Sequence, residues 1–388
     1  MNKWLLVWLI FVAGWYLIPW WNRVYFLWDD IELLMQLRHP TLETFLTSHQ
    51  YQFFPVFLLF YSLETNLFGV NPSAFLAVSV GLHLINIWLV YILINKLTKN
   101  NLLSLLAAVL VSFNKSYFTV IFWPTIQSNI LLTTWLLLTL LLFFELKHKL
   151  SLNKLIKFLA LILLAGLSFG FGISAGFIFS IAAWLFIRNR SHRLLTISSL
   201  VTGIVTALVV LKFSLPEVQQ SQIVSLSGTR LFNIAYFTAV GISQGIISRF
   251  FIPGFVPNIY NASNIAIMIA LPAAILLFFI YTSFLMIKKH RFADLLPLFL
   301  FVSLSIMPYF IASLARSGPG ALGGLAERYI YLPFFAFVLA LVYGFYLVGI
   351  TRKTFPKPIR IILIAYVPLI VFGHIAAMWF KLNNLFLP

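Results

Sequence analysis

The sequence predicts an all-α polytopic membrane protein, and three observations carry that prediction. Hydrophobic residues fill 62% of the 388 positions and charged residues only 9%, and the mean hydropathy is +1.00. A soluble chain of this length could not hide so much apolar surface, and runs of about 20 apolar residues recur from end to end. The runs are continuous, whereas a membrane β-barrel shows short alternating segments. The third observation is the placement of charge. With 26 Lys and Arg against 9 Asp and Glu, the formal charge is +17. The cations gather in short loops: Lys96 and Lys99; Lys147, Lys149, Lys154 and Lys157; Arg188, Arg190 and Arg193; Lys288, Lys289 and Arg291; Arg352, Lys353, Lys357 and Arg360. These alternate with loops nearly free of Lys and Arg, the positive-inside pattern of a multi-pass protein. Its cationic face meets anionic lipid, and nucleic acid is excluded as a partner.

Placing Lys3 inside gives eleven spans, near 4–20, 72–95, 102–120, 128–146, 157–170, 173–187, 194–213, 265–287, 292–313, 329–349 and 361–380, with the N-terminus inside and the C-terminus outside. The first run lacks a small-x-small cleavage site and ends in the aromatic anchor Pro19-Trp20-Trp21, so it is read as a retained span and not a signal. Residues 157–187 are too short for two full spans and too long for one. Gly166, Gly170, Gly172 and Gly176 predict two short, closely packed helices with an irregular apex. Residues 231–252 are long enough to cross. However, the basic loops at Arg188–Arg193 and Lys288–Arg291 both belong inside, which demands an even number of crossings between them. With Asn233, Gln244, Ser248 and Arg249 in the segment, an interfacial or re-entrant helix on the outer side is expected. No polar stretch is long enough for a soluble domain, so residues 1–388 are expected to form one transmembrane domain. Cysteine is absent, which removes disulfides and thiolate metal sites.

This topology sorts the acids. Asp29, Asp30, Glu32, Glu43, Glu64, Glu217 and Glu327 fall outside, while Glu145 and Asp294 fall inside; the long loops 21–71, 214–264 and 314–328 are also outside. The first external loop, 21–71, therefore carries the candidate acidic site. Asp29 and Asp30 stand side by side where the first span ends, a costly place for two carboxylates. Read structurally, one of them caps a short surface helix beginning near Ile31. Read functionally, one is a general base that takes a proton from an attacking hydroxyl. Glu32 falls on the same helical side as Asp29.

Glu327-Arg328 also has two readings. It is either an ion pair capping the span that begins at Tyr329, or an anion site in which the fixed guanidinium of Arg328 meets a phosphate. Arg230, Arg249 and Arg316 are the other outer cations in reach of such a site. His39 and His49 share the acidic loop, but ten residues of separation is not a ligand spacing, and no metal is expected. His83 and His374 read as packed within the bundle.

An acidic pair in the first external loop of a polytopic chain resembles the GT-C class of glycosyltransferases. More specifically, Ala326-Glu327-Arg328-Tyr329-Ile330-Tyr331-Leu332-Pro333 resembles the A-E-R-Y-x-Y-x-P segment of the transmembrane and tetratricopeptide repeat-containing O-mannosyltransferases. Phe68-Gly69-Val70-Asn71-Pro72 through Leu82-His83-Leu84-Ile85-Asn86 is similar to the F-G…L-H-x-x-N run of that family, and Phe113-Asn114…Trp123 to its third-span exit. Two features depart from it: Gln52-Phe53-Phe54-Pro55 stands where the family has Arg-Pro, and Gly170-Phe171-Gly172 where it has a basic residue. No tetratricopeptide repeats appear in these residues.

The resemblance implies a GT-C-like helical bundle in the cell membrane with its active site on the outer face. It implies transfer of a sugar, with mannose the family's choice, from a polyprenyl-phosphate donor to a hydroxyl on a protein or glycan acceptor, with inversion and without a cofactor. Asp29 would be the base, with Asp30 and Glu32 supporting it. Arg328, with Glu327, Tyr329, Arg230, Arg249 and Arg316, would hold the donor. The alternative from another class is a transporter or flippase of a polyprenyl-linked glycan, which would place ionisable residues near the midplane.

Overall fold

The computed structural model describes residues 2–48, 52–187, 191–214, 228–253, 262–316, 327–352 and 357–386. Every regular element among them is helical. That outcome follows from composition, because a backbone in hydrocarbon must satisfy its own hydrogen bonds, and a helix does so within one segment. Seven helices among the described residues are long and apolar enough to cross a bilayer. The chain is therefore a multi-pass helical membrane protein.

Contacts divide the chain into two compact units. The first is Met1–Leu89 with Thr119–Leu231, and the second is Val90–Phe118 with Phe232–Pro388.

The first unit opens with α1 (Lys3–Leu17), a 15-residue helix whose N-terminus is capped by the Asn2 side chain. It is shorter than the span expected at 4–20. Of the two tryptophans expected to anchor it at the interface, Trp21 is exposed but Trp20 is completely buried. Three short helices follow in the first loop: α2 (Trp28–Gln36), α3 (Leu42–Leu46) and α4 (Pro55–Phe68). Their apolar stripes make a small core. Leu33 and Leu34 of α2, with Leu37 at its C-cap, meet Phe57, Leu58 and Tyr61 of α4, over Phe75 of α5 (Pro72–Thr98). Gly69 ends α4 at φ +64°, a conformation that L side chains rarely adopt, and so gives the Phe68-Gly69 pair a structural reason. After α6 (Asn101–Ser112) and α7 (Tyr117–Phe122), which belong wholly or partly to the second unit, come α8 (Gln127–His148), α9 (Leu152–Ser168), α10 (Ser174–Phe186) and α11 (Ser191–Ser214). The glycine-rich stretch behaves as its sequence predicts. Gly170–Ile173 is a 3₁₀ apex between α9 and α10, and a Cβ on Gly172 would stand 2.2 Å from the Ala165 carbonyl oxygen. Gly176 serves a further contact, since a Cβ there would lie 2.5 Å from Cα of Gly203 on α11. Asn86 accounts for the polar end of the L-H-x-x-N run: it donates to the Ile130 carbonyl at 3.1 Å and accepts from Thr134 at 2.8 Å, tying α5 to α8. His83 is fully buried with its ring edge-on to Tyr16 at 5.5 Å, as a packed histidine.

In the second unit, α6 corrects the continuous span expected at 102–120. The helix stops at Ser112, residues 113–116 are non-helical, and α7 resumes at Tyr117. Asn114 shows why: its side chain turns back to accept the Ser116 N–H at 2.8 Å, a local bond that competes with helix. The helix α12 (Gly228–Phe251), with a π-helical stretch at Gly241–Ser248, is 24 residues long and apolar enough to cross. The segment expected to lie at the outer interface thus has a spanning helix's length. Its polar Gln244 and Ser248 are buried within the unit, which is why they do not break it. Next come α13 (Ala262–Lys288), α14 (Leu295–Arg316), α15 (Tyr331–Arg352) and α16 (Lys357–Phe386). Their burial differs sharply: 83% of the apolar window of α15 is buried and 11% of that of α13. So α15 is the unit's core, and the exposed Ile269, Leu276, Leu277, Ile280 and Phe284 of α13 give a lipid-facing surface.

Candidate functional site

The predicted residues fall into two groups, one in each unit. In the first unit, the Asp29-Asp30 pair opens α2, and the two carboxylates have different fates. Asp30 is completely buried and every oxygen is used. Its Oδ2 accepts the Leu27 N–H at 2.8 Å, closing a capping box from the third helical position. Its Oδ1 accepts the Thr125 N–H at 2.8 Å and also the Thr125 hydroxyl. Asp30 therefore pins α2 to the turn at 124–127. Burial pushes its carboxyl above the usual range, the Thr125 and Leu27 donors pull it down, and the neighbouring Asp29 charge raises it. Asp29 is half-buried and makes no hydrogen bond among the described residues. The helical expectation for Glu32 is met, but that side chain is exposed and accepts a bond from Gln36 at 3.2 Å. It does not join Asp30. His39 is exposed, and His49 lies outside the described residues.

Two residues that sequence reasoning passed over complete this acidic corner. Tyr61 and Glu64 lie one turn apart on the buried stripe of α4. Asp30 and Glu64 both act on the Tyr61 hydroxyl, whose ionisation burial and the two carboxyls oppose. An acid inside the apolar run of α4 was the available signal.

In the second unit, the broken segment 113–116 gathers cations. Arg249 donates to the Ser116 hydroxyl at 3.2 Å. Lys115 lies within electrostatic reach of Lys381, Glu327 and Arg249. Its N–H donates to Nδ1 of His374 at 3.4 Å, and the other ring nitrogen of His374 meets the Phe250 carbonyl. The ion pair expected between Glu327 and Arg328 does not form. Glu327 pairs with Lys381 of α16, and Lys381 also lies 4.9 Å over the Phe118 ring. Arg328 instead stacks its guanidinium 5.2 Å over the Tyr329 ring, and its Nε has no hydrogen-bond partner among the described residues. Tyr329 is buried. Three cations thus converge on one acid at the 113–116 break, with Arg328 adjacent in the chain to that acid. An apolar cavity of about 330 Å³ opens in the same unit against Phe250 and Phe251, the residues that follow Arg249, and is closed by Leu106, Phe278, Phe345 and Tyr366.

Of the other predicted cations, Arg230 stands in the first turn of α12, at the opposite end from Arg249, and Arg316 closes α14 with its side chain outside the described residues. Lys115 and Lys381 were missed. Lys115 is the one cation inside the apolar run 102–120, where an ionisable residue is a functional signal in its own right. Compared with known proteins, the chain matches no family model, no curated protein and no solved structure.

Proposed function

We propose that this multi-pass protein is a GT-C-like glycosyltransferase with eleven crossings, moving a sugar such as mannose from a polyprenyl-phosphate donor to an acceptor hydroxyl on the outer face. The observation that carries the reading is the division of labour at the acidic pair. Asp30 is fully bonded and holds the backbone, which leaves Asp29 with an uncommitted carboxylate at the start of a fixed helix. That is what a general base requires: a set position and free lone pairs. The cationic group in the second unit supports the donor half. Lys115, Arg249 and Arg328 suit a lipid phosphate, on which negative charge grows as the sugar leaves, and the neighbouring apolar cavity suits its hydrocarbon chain. The basic loops still require an even number of crossings between Arg193 and Lys288, so α12 stays on the outer side in this reading despite its length.

The defining experiment adds a defined polyprenyl-phosphate mannose and a hydroxyl acceptor to purified protein and follows lipid-phosphate release together with acceptor modification. Release that depends on acceptor supports the reading; intact donor after prolonged incubation counts against it. A transporter of a polyprenyl-linked glycan is the second reading, favoured by the discontinuous helix at 113–116 with Lys115 in the break. It predicts movement of intact lipid-linked glycan between leaflets of proteoliposomes, with no release.

A further inference from the structure

The sequence reads His374 as packed within the bundle, and the residue is 1% exposed on α16. Both of its ring nitrogens are nevertheless committed, each to the backbone of a different segment. Nδ1 meets the Lys115 N–H at 3.4 Å, and Nε2 meets the Phe250 carbonyl at 3.3 Å. These partners leave the ring one state. A backbone N–H only donates and a carbonyl only accepts, so Nδ1 is bare and Nε2 carries the proton. The neutral imidazole then presents one acceptor and one donor from a single rigid ring. It joins the 113–116 break to the end of α12.

The neighbours show what this junction holds. Within the break, Asn114 accepts the Ser116 N–H at 2.8 Å, and the Ser116 hydroxyl accepts from Arg249 at 3.2 Å. Phe113, Asn114, Ser116 and Tyr117 are buried, and between them Lys115 stays half-open. The backbone is thus anchored around a cationic side chain that remains accessible. At the other nitrogen of the ring, Phe250 directly follows Arg249. Lys115 and Arg249 lie within electrostatic reach of each other and repel. An anion site has to hold such cations together before its ligand arrives, and rigid support of the backbone beneath them is how that is done.

We propose that His374 is a positioning residue: its neutral imidazole, protonated on Nε2, clamps the Lys115 backbone to the end of α12 and so keeps Lys115 and Arg249 assembled for a phosphate monoester. The proposal rests on the donor-phosphate reading above and assigns the group that builds that site.

The test measures binding of a defined polyprenyl phosphate to the full chain in detergent. His374→Phe keeps a buried ring edge-on to Phe334, whose centroid lies 6.5 Å away, and removes both bonds. Affinity should fall about tenfold, as for closely coupled neighbours. His374→Asn puts an amide oxygen where Nδ1 stands and should recover part of that loss. In a Lys115→Gln chain, His374→Phe should cost less than about twofold, because the cation it positions is gone. A loss as large there as in the wild type would make His374 a packing residue and overturn the proposal, as would wild-type affinity in His374→Phe. If the wild type itself fails to bind the polyprenyl phosphate, the donor reading falls first and this site falls with it. Should the His374 variants not fold, wild type labelled with ¹⁵N-histidine and ¹⁵N-lysine decides. NMR should then show one histidine whose bare Nδ1 is in through-space contact with a lysine amide proton; a protonated Nδ1, or no such contact, would overturn the proposal.

Discussion

The two polar regions of this protein handle charge in opposite ways. Around the 124–127 turn, Asp30 and Glu64 are sealed from solvent, and the surrounding groups are donors, amides and a tyrosine. Around the 113–116 break, Lys115, Arg249 and Lys381 are half-buried and carry more charge than Glu327 returns. A sealed group with every bond made serves as a fixture. A half-open group with surplus charge has capacity left for a ligand of opposite sign. The contrast gives Asp30 the part of holding the 124–127 turn, and it is the ground on which anion binding is proposed for the cations of the second region and base chemistry for Asp29.

The sharpest way to break this contrast is to compare the two adjacent aspartates. Asp29→Asn preserves shape and removes basicity, so transfer should fall by ~10²–10⁴-fold with an unchanged melting temperature and unchanged donor binding. Transfer at the wild-type rate would remove Asp29 from the chemistry. Asp30→Ala should do the reverse. It strands three buried donors, each of which costs about 1–3 kcal/mol when unsatisfied, so thermal unfolding in detergent should move well before any effect on catalysis is separable. An Asp30→Ala protein as stable as wild type would show that the clamp on Thr125 is dispensable.

A second pair of variants probes the cations. Arg328→Ala and Lys115→Gln each remove a charge-assisted bond to the proposed phosphate, and donor binding should weaken about 10- to 100-fold in titrations with a polyprenyl phosphate. Arg328→Lys should fall between wild type and Ala, since it keeps charge and loses the planar fork. Lys381→Gln should act mainly by releasing Glu327, so its effect should appear in stability more than in binding. Donor affinity equal to that of the wild type in all four variants would reduce the cationic group to a structural cluster.

The smallest expected effect concerns sidedness. The chain has no cysteine, so single labels are clean. Thr229→Cys and Ile252→Cys, at the two ends of α12, should both react with an impermeant maleimide from outside, and Ser151→Cys should not. Reaction of only one of the α12 pair means that this helix crosses, and one of the other expected spans does not.

How much of this was legible in the sequence differs by feature. The helical membrane class and the close packing at Gly172 and Gly176 were read correctly because they depend on composition and local spacing. A stretch of apolar side chains must shed water wherever it lies, and a glycine beside another helix permits approach whatever the rest of the fold. That Asp29 and Asp30 stand together where α2 begins was visible as well. That Asp30 alone is buried and fully bonded was not, because Thr125 lies 95 residues from Asp30 in the chain and reaches it only through folding. The partner of Glu327 was hidden for the same reason: of the two readings of Glu327-Arg328, the ion-pair one offered only the adjacent Arg328, and Lys381, 54 residues away, is the partner that tertiary structure supplies. The helix break at 113–116 was likewise hidden in an apolar run, and it becomes tolerable only where Ser116 and the Lys115 backbone find partners in Arg249 and His374. The sequence by itself therefore determined the solvent of each segment, and hence the class of protein. The tertiary structure decided which polar groups are spent on one another, because hydrogen bonds and ion pairs depend on distance in space and not on separation along the chain.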